Sequence, residues 1–563
     1  MKFVKKILSA LIICTMLVPS VALAEYNEVS DIQPFSLGED YSIGLFSSDI
    51  ELTDLEKELL NTIVDQLANR GSEITLKAAD YGITNYERYY EIAGKCLAPL
   101  LQYEHPELFY IDLSGIYFDA TVNSITGQAV DLNVHTTTTY KDEDGNEFTV
   151  DAYTMDKKTE AAKQAMIDAE YEKIKSMLDE DMTTVQKILT VHDYIVANYE
   201  YDMSVFTDSA NAIRTLDKMV EQKKGVCQGY SYLFKYVLDK LNAEYDLDIE
   251  CVTVPSTTCN HMWNKVKLDG EWYNIDVTHD DPTPNESANI NHSHFLINDE
   301  EIKLMPDNEH TSWDPYKWDG TPVEVSDSTN FYDSVLQKIP KQTIYKNGVF
   351  YCFDNKNNIC TVDFDKNRLT PVYTDTSRYK WNIGDNYYYS NFSVMTLYNG
   401  DIYFNAPNSV FRYDPKSNTA ERVYSAGEKD TDIAHIYGLT IKDNKINIEY
   451  AENYRNSGIS ALIPISVNQK PEPEMPCSSE IKPSKDEDGN LMVTVTVNIP
   501  EEYTASSTVY VVEYDINGVL TGIHEVGVPF APDSDTAQVK AFIWGNGNAP
   551  LADAASYLIP QTE

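Results

Sequence analysis

The pattern of apolar and polar positions changes from helical to strand-like over the first part of the chain. Apolar residues recur every fourth position from Leu55 to Leu67, after the capping box Thr53-Asp-Leu-Glu56, and this spacing is typical of a helix. From Leu108 to Val150 the pattern indicates strands. Residues 49–155 are therefore predicted to form an α+β region that packs on the next part of the chain. Residues 25–48 show no clear period and are predicted to be a linker.

The second half of the chain has the alternation of β-structure. Hairpin-like segments of similar sequence recur at residues 344–351, 397–404 and 441–448. Residues 330–467 are therefore predicted to form a propeller-like β-repeat module, with an open repeat sheet as the alternative. The proline-rich segment 468–487 is predicted to be a linker. Residues 488–563 alternate between turn signals at a spacing that is typical of an Ig-like β-sandwich.

Residues 1–24 have the layout of a cleaved secretory signal. Three lysines precede an apolar run from Ile7 to about Val18, and Ala22-Leu23-Ala24 closes the run with small residues. A membrane span is the alternative, but the run is short and no second apolar segment follows. We therefore expect a secreted, extracellular protein with no membrane span after cleavage. Its retention at a cell wall would be non-covalent.

Composition excludes some partners and indicates several domains. The 89 Asp and Glu outnumber the 44 Lys and Arg, and the formal net charge of −45 disfavours binding to nucleic acid or anionic lipid. At 563 residues the chain is expected to form roughly three or four domains. The cysteines are too few for a disulfide scaffold. A hairpin turning at 355–357 would place Cys352 opposite Cys360, which makes this pair a disulfide candidate.

Cys227 is the first candidate for chemistry. Gly225-Val226 precede it, and an apolar stripe with helical spacing follows, comprising Tyr230, Leu233, Phe234, Val237, Leu238 and Leu241. This pattern places Cys227 in the first turn of a helix. Unpaired backbone N–H groups and the helix dipole favour the thiolate there, which is the nucleophilic form. A buried, unreactive cysteine is the alternative.

A hairpin downstream supplies a histidine and an aspartate. Asp269-Gly270 is a two-residue turn between two strand-like segments. The register that this turn fixes puts His261 and Asp276 on one face as diagonal neighbours, within reach of a hydrogen bond. The carboxylate can then orient the ring, and the other ring nitrogen can take the proton of Cys227. The same register selects Asp276 over the other aspartates nearby.

These residues resemble a known family. The segments GVCQGYSYLFKYVLD and HMWNKVKLDGEWYNIDVTHDDP are similar to the signature of the bacterial, secreted branch of the transglutaminase-like superfamily. The resemblance covers residues 183–305 best, and it implies a papain-like α+β core over residues 156–310. It also implies that Cys227 is the nucleophile, His261 the general base and acid, and Asp276 the residue that orients the histidine.

Further residues are expected to shape the cleft. The backbone N–H of Cys227 would stabilise an oxyanion together with a second donor, for which Gln228 and Tyr201 are candidates. Trp263 is expected to form part of the cleft wall and core. His279 follows Asp-Val-Thr where many relatives carry tryptophan, which alters the wall of the cleft.

A second polar group of residues comes after the hairpin, comprising His279, Asp280, Asp281, His292 and His294. His292 and His294 would share a strand face, so a metal site is one interpretation. Because the ligand spacing matches no known pattern, capping and hydrogen bonding explain these residues better, and we expect no metal and no cofactor. His192 lies on the apolar stripe of a helix and is expected to be a hydrogen-bonded core histidine.

Two functions fit the sequence. The first is an exported cysteine-dependent enzyme, a peptidase, deamidase or transamidase that acts on amide bonds of peptides or proteins through a thioester. The alternative is a non-enzymatic surface protein, in which the fold is a scaffold and the C-terminal β-modules bind cell wall or an extracellular protein. The intact Cys–His–Asp set favours the enzyme.

Overall fold

The computed structural model describes residues 29–31, 35–36, 50–141, 145–283, 290–374, 380–383, 386–389, 392–426, 435–451, 461–467, 477–516, 519–545, 552 and 554–559. The signal sequence predicted at residues 1–24 lies outside this range. The chain divides into two compact units, Met1–Gly348 and Val349–Glu563. Within the described residues, no helix has the length and apolar character that crossing a membrane requires.

The first unit contains all but one of the described α-helices. These are α1 (Asp54–Ala68), α2 (Tyr86–Pro99), α3 (Lys157–Lys175), α4 (Thr184–Asn198), α5 (Leu216–Gln222), α6 (Cys227–Tyr245) and α7 (Asp299–Lys303). Its first strands are β1 (Val29–Asp31), β2 (Phe35–Ser36), β3 (Glu73–Lys77), β4 (Tyr117–Asn123), β5 (Ala129–His135), β6 (Thr137–Lys141) and β7 (Glu147–Asp151). Its later strands are β8 (Glu200–Tyr201), β9 (Lys224–Gly225), β10 (Glu250–Ser256), β11 (His261–Leu268), β12 (Glu271–Ile275), β13 (Phe295–Ile297) and β14 (Ile344–Lys346).

The N-terminal part of this unit is an antiparallel sheet with α1 and α2 packed on it. The strand order is β1-β4-β5-β3, and β2 also pairs with β4. The predicted capping box forms, since Thr53 Oγ1 accepts from the N–H of Glu56 while the Glu56 carboxylate accepts from the N–H of Thr53. Leu55 stays half-exposed, whereas Leu59, Ile63 and Leu67 are buried. The strands β1 and β2 lie within residues 25–48, so part of the segment that we expected to be a linker extends this sheet.

The central part packs the long helix α6 against a four-stranded sheet with the order β10-β11-β12-β13. The turn between β11 and β12 has positive φ at both central residues, 51° at Asp269 and 85° at Gly270, as a type I′ hairpin requires. The register predicted from this turn is confirmed, because Leu268 pairs with Glu271 and the pairing continues to Asn264 and Ile275.

The segment after α7 completes this unit. Ser312 O accepts from Ser256 Oγ at 2.7 Å, and the Asp314 carboxylate accepts from Thr257 Oγ1 at 2.7 and 2.8 Å. Further along, Thr343 donates both its N–H and its hydroxyl to Asp193 Oδ2 on α4, each at 2.7 Å. The compact unit therefore continues well past residue 310, where we expected the core to end.

The second unit consists almost wholly of antiparallel strands. Its repeat part contains β15 (Val349–Phe353), β16 (Ile359–Asp363), β17 (Arg368–Tyr373), β18 (Lys380–Ile383), β19 (Asn386–Tyr389), β20 (Met395–Tyr398), β21 (Asp401–Ala406), β22 (Ser409–Asp414), β23 (Thr419–Ser425), β24 (His435–Lys442), β25 (Lys445–Ala451) and β26 (Ala461–Pro464). Cys352 and Cys360 are directly opposite across β15 and β16, as predicted.

The C-terminal part of the second unit forms two small sheets around a shared apolar core. It contains β27 (Ser478–Lys485), β28 (Leu491–Asn498), α8 (Glu501–Thr504), β29 (Thr508–Asp515), β30 (Leu520–His524), β31 (Thr536–Trp544) and β32 (Ala555–Leu558). Because β27 lies within residues 468–487, the strands begin inside the segment that we expected to be a linker. The whole chain is α+β, with its helices concentrated in the first unit, as the sequence predicted.

Candidate active site

Cys227 is the first residue of α6. Val226 caps the helix with extended backbone, and its N–H donates to Ile213 O at 2.9 Å. The thiol is nearly buried and packs in an apolar cluster with Tyr103, Tyr232 and Met262. This position agrees with the sequence prediction, and it leaves the first backbone N–H groups of α6 without acceptors inside the helix.

His261 and Asp276 meet next to this helix terminus. His261 Nε2 lies 2.5 Å from Asp276 Oδ2, and both side chains are buried. The strand β12 ends just before Asp276, whose carboxylate turns back to accept the N–H groups of Thr278 and His279 on Oδ1 at 2.9 and 3.1 Å. The carboxylate is thereby fixed by its own following turn, and it fixes the orientation of the imidazole.

Because Nε2 of His261 faces the carboxylate, only its Nδ1 is left for a second partner. Burial opposes protonation of His261, but the charge of Asp276 and the hydrogen bonds to Asp276 and Cys227 outweigh it and raise the pKa of His261 well above its ordinary value. Burial likewise opposes ionisation of Asp276, yet the charge of His261 holds the pKa of that carboxyl well below its usual range. The structure therefore brings the side chains of Cys227, His261 and Asp276 together, with His261 in contact with both of the others.

An acidic residue lies at the open side of this group. The Oε2 atom of Glu309 is 3.7 Å from His261 Nδ1 and 3.2 Å from His279 Nε2, while the Glu309 side chain remains 51% exposed. The ring of His279 stands edge-on to that of His261, with centroids 4.9 Å apart. His279 and Glu309 therefore border the imidazole of His261, with Glu309 on its Nδ1 side.

Gln228, Tyr201 and Trp263, the residues predicted to shape the cleft, lie in different surroundings. Gln228 donates through Nε2 to the hydroxyl of Tyr232 at 2.7 Å. Burial raises the pKa of Tyr201, and the nearby thiol of Cys227 adds to this shift. Trp263 is only 1% exposed, and it donates through Nε1 to Asn274 Oδ1 at 2.9 Å. Trp263 therefore belongs to the core beneath His261 and does not line the cleft.

The sequence interpretation missed a network that continues from Asp276 into the protein. Carboxylates and imidazoles alternate along it, and its members in order are Asp276, His310, Asp307, His294, Asp280, His192, Asp193 and His292. We call it the Asp–His network. Its successive ring nitrogens and carboxylate oxygens lie 2.7 to 3.2 Å apart. The prediction that His192 is a hydrogen-bonded core histidine is confirmed.

Three groups of described residues in or beside this network have donor atoms within 4.8 Å of one another, as a metal site requires. They are His261, Asp276, His279 and His310; His192, Asp193 and His292; and His279, His294 and Asp307. These donor atoms already have one another, Glu309 or backbone groups as hydrogen-bond partners. His292 and His294 are thus hydrogen-bonded, as the preferred sequence interpretation had it, and the expectation of no metal stays a prediction.

Asp281 is a separate buried acid next to the network. Tyr230 on α6 donates its hydroxyl to Asp281 Oδ2, and Asp281 Oδ1 is buried with no hydrogen-bond partner. Burial raises the pKa of Asp281 to about 8; the Tyr230 hydrogen bond opposes this shift, and the charge of Glu200 adds to it. Asp281 is therefore largely protonated at neutral pH.

The fold and the site together define a class of protein. It is an α+β domain in which a thiol at a helix N-terminus faces a histidine and an aspartate from the adjacent sheet. Residues 172–277 match the Transglutaminase-like superfamily. The chain therefore contains a transglutaminase-like domain, as its sequence predicted.

Solved structures similar to this chain resemble it only remotely. One is a TGase, with 14% identity, coverage of 42% of this chain and 49% of that chain, and a TM-score of 0.19. Another is the extracellular domain of a hybrid two-component system from B. thetaiotaomicron, with 10% identity, coverage of 55% and 43%, and a TM-score of 0.17. The chain thus spans less than half of either structure. No curated protein matches the sequence.

Proposed function

We propose that this protein is a cysteine-dependent enzyme that acts on amide bonds of peptides or proteins through a thioester intermediate. The observation that supports it best is the position of His261, whose Nε2 lies 2.5 Å from Asp276 Oδ2 and whose ring also hydrogen-bonds the thiol of Cys227. A buried imidazole held between a thiol and a carboxylate is what nucleophilic catalysis by cysteine needs.

In the proposed reaction, the sulfur of Cys227 attacks the carbonyl carbon of the amide. The proton of the thiol passes to His261 and from there to the nitrogen of the leaving amine, so that the C–N bond breaks and a thioester remains. The N–H groups at the first turn of α6 are suitable donors for the oxyanion. Water or a second amine then attacks the thioester and releases Cys227, which gives hydrolysis, deamidation or transamidation.

We also propose that the protein acts outside the cell. The support is the signal-like composition of residues 1–24. The β-modules of the second unit would contact a cell wall or an extracellular protein. Mass spectrometry of the N-terminus in culture supernatant tests export, and recovery of an intact Met1 from washed cells alone would contradict it.

A peptide mixture incubated with the purified protein tests the chemistry. Mass spectrometry would separate new cleavage products, deamidated glutamine and cross-linked peptides, and we expect at least one of these changes with the natural chain. Cys227→Ala should abolish it while the unfolding midpoint stays close to that of the natural chain. The enzyme hypothesis fails if no product depends on Cys227 for any peptide or added amine.

Labelling with a thiol-reactive amide mimic gives a second test, but it needs a control for Cys259. That thiol is partly exposed. Its slight burial opposes ionisation, but hydrogen bonds from Ser256 and Thr311 lower its pKa, so it will also react. Peptide mapping in a Cys259→Ser background should show a label on Cys227 that is lost in His261→Ala.

A further inference from the structure

His310 binds two carboxylates at once. Its Nε2 lies 2.7 Å from Asp276 Oδ2, and its Nδ1 lies 3.0 Å from Asp307 Oδ1. Burial opposes ionisation of both acids, but the neighbouring histidines outweigh it and hold the pKa of each below its usual range. An ionised carboxylate can only accept a hydrogen bond. Each ring nitrogen of His310 therefore has a carboxylate oxygen as its partner, and toward an ionised carboxylate the ring can act only as a donor.

The surroundings of His310 hold it in this arrangement. The ring is only 1% exposed, so solvent cannot replace its partners. The rings of His261, His279, His294 and Trp263 surround it, with centroids 4.9 to 5.2 Å away. The half-exposed Glu309 precedes it in the chain and faces His279 and His261. The charged groups nearest to His310 are therefore the two aspartates to which it donates.

His310 and His261 share one oxygen of Asp276. Oδ2 accepts from His261 Nε2 at 2.5 Å and from His310 Nε2 at 2.7 Å, while Oδ1 accepts two backbone N–H groups. An oxygen that accepts from two donors stabilises either one less than it would stabilise that one alone, because its negative charge is shared between the two hydrogen bonds. His310 therefore reduces the stabilisation that the Asp276 carboxylate gives to protonated His261.

We propose that His310 is a positioning residue that acts through Asp276: by sharing its carboxylate, it makes protonated His261 a stronger acid toward the leaving amine. This inference rests on the proposed function and adds a fourth residue to it. The step concerned is the breaking of the C–N bond, in which the proton on His261 passes to the departing nitrogen as the thioester forms. His261 becomes neutral in that step, and the amine leaves uncharged.

The inference predicts an effect that depends on the leaving group. Amines are poor leaving groups and need a proton, whereas p-nitrophenolate leaves without one. For two substrates with the same acyl group, His310→Leu should lower kcat/KM for the amide by about tenfold or more, and for the p-nitrophenyl ester by less than about threefold. His310→Gln keeps a neutral donor toward Asp276 and should fall between the natural chain and His310→Leu.

The pH dependence of Cys227 alkylation by iodoacetamide gives a readout that needs no turnover. It is followed by peptide mapping in the Cys259→Ser background. The upper inflection, where His261 loses its proton, should move to higher pH by about one unit in His310→Leu. His292→Gln is the matched control, because His292 lies at the far end of the Asp–His network and contacts Asp193 and Ile339 O. It should leave the inflection and the amide-to-ester ratio unchanged.

Two results would overturn the inference: an upper inflection that stays in place in His310→Leu, or equal losses for amide and ester. Either would reduce His310 to a structural residue. If His310→Leu does not fold, His310→Gln decides by the same two measurements. If the natural chain turns over neither substrate but the inflection still moves with His310, then the proposed function fails while the effect of His310 on His261 stands.

Discussion

Asp281 should make the stability of the first unit depend on pH in a way that one substitution removes. Its carboxyl has an ordinary pKa of 3.8, and burial raises the pKa in the folded protein to about 8. The folded state therefore holds a proton that the unfolded state releases, and stability falls as pH rises from about 4 to about 8. At about 1.4 kcal/mol per unit, the loss between pH 5 and pH 8 is about 4 kcal/mol.

Asp281→Asn is the perturbation that isolates this effect. The amide does not ionise, and its oxygen can still accept the hydroxyl of Tyr230. Urea unfolding of both proteins at pH 5, 6, 7 and 8 gives the difference in their free energies of unfolding. The contributions of the other titrating groups cancel in this difference. We expect this difference to change by about 4 kcal/mol in favour of the asparagine variant as pH rises. A difference that stays constant with pH would refute the reasoning.

Two further predictions concern the core around the site. Burial opposes protonation of His192 and His294, but their aspartate partners outweigh it and raise the pKa of His192 to about 9 and that of His294 to about 10. The stability that these two protonated histidines contribute is therefore complete below about pH 6.5 and is lost toward pH 10. Thermal unfolding should show that the free energy of unfolding falls by up to about 2–3 kcal/mol per pH unit between pH 7 and pH 9. A free energy of unfolding that stays constant over this range would contradict the raised pKa values of the two histidines. Trp263→Phe leaves a small cavity and removes the donor to Asn274, so it should cost about 2–4 kcal/mol in urea unfolding; a loss under about 1 kcal/mol would show that the pocket readily rearranges.

The contact between His261 and Asp276 could be predicted because short-range chemistry determines it. The turn Asp269-Gly270 selects a type I′ hairpin, and the hairpin fixes which side chains share a face. The helical position of Cys227 is determined in the same way by the apolar spacing after it. These features depend on residues that are close together in the sequence.

His310 and Asp307 could not be found by such reasoning. They lie on an irregular segment after α7, and nothing in its period predicts that it returns to Asp276, 34 positions earlier in the chain. For Trp263, the sequence predicted the position in the chain but not the degree of burial. Its place on the strand was predicted, but the burial that removes it from the cleft comes from the packing of the later segment, including Trp313 at 5.8 Å.

The alternation of carboxylates and imidazoles in the Asp–His network has a consequence for how this protein can change during evolution. Removing Asp280 takes the counter-charge from the buried ring of His192, and removing His192 takes it from the buried carboxylate of Asp280. Single substitutions are therefore unfavourable, whereas the joint loss of neighbours such as Asp280 and His192 preserves neutrality. Among homologous sequences, these positions should vary in adjacent pairs. The pairs farthest from Asp276 should be exchanged most often.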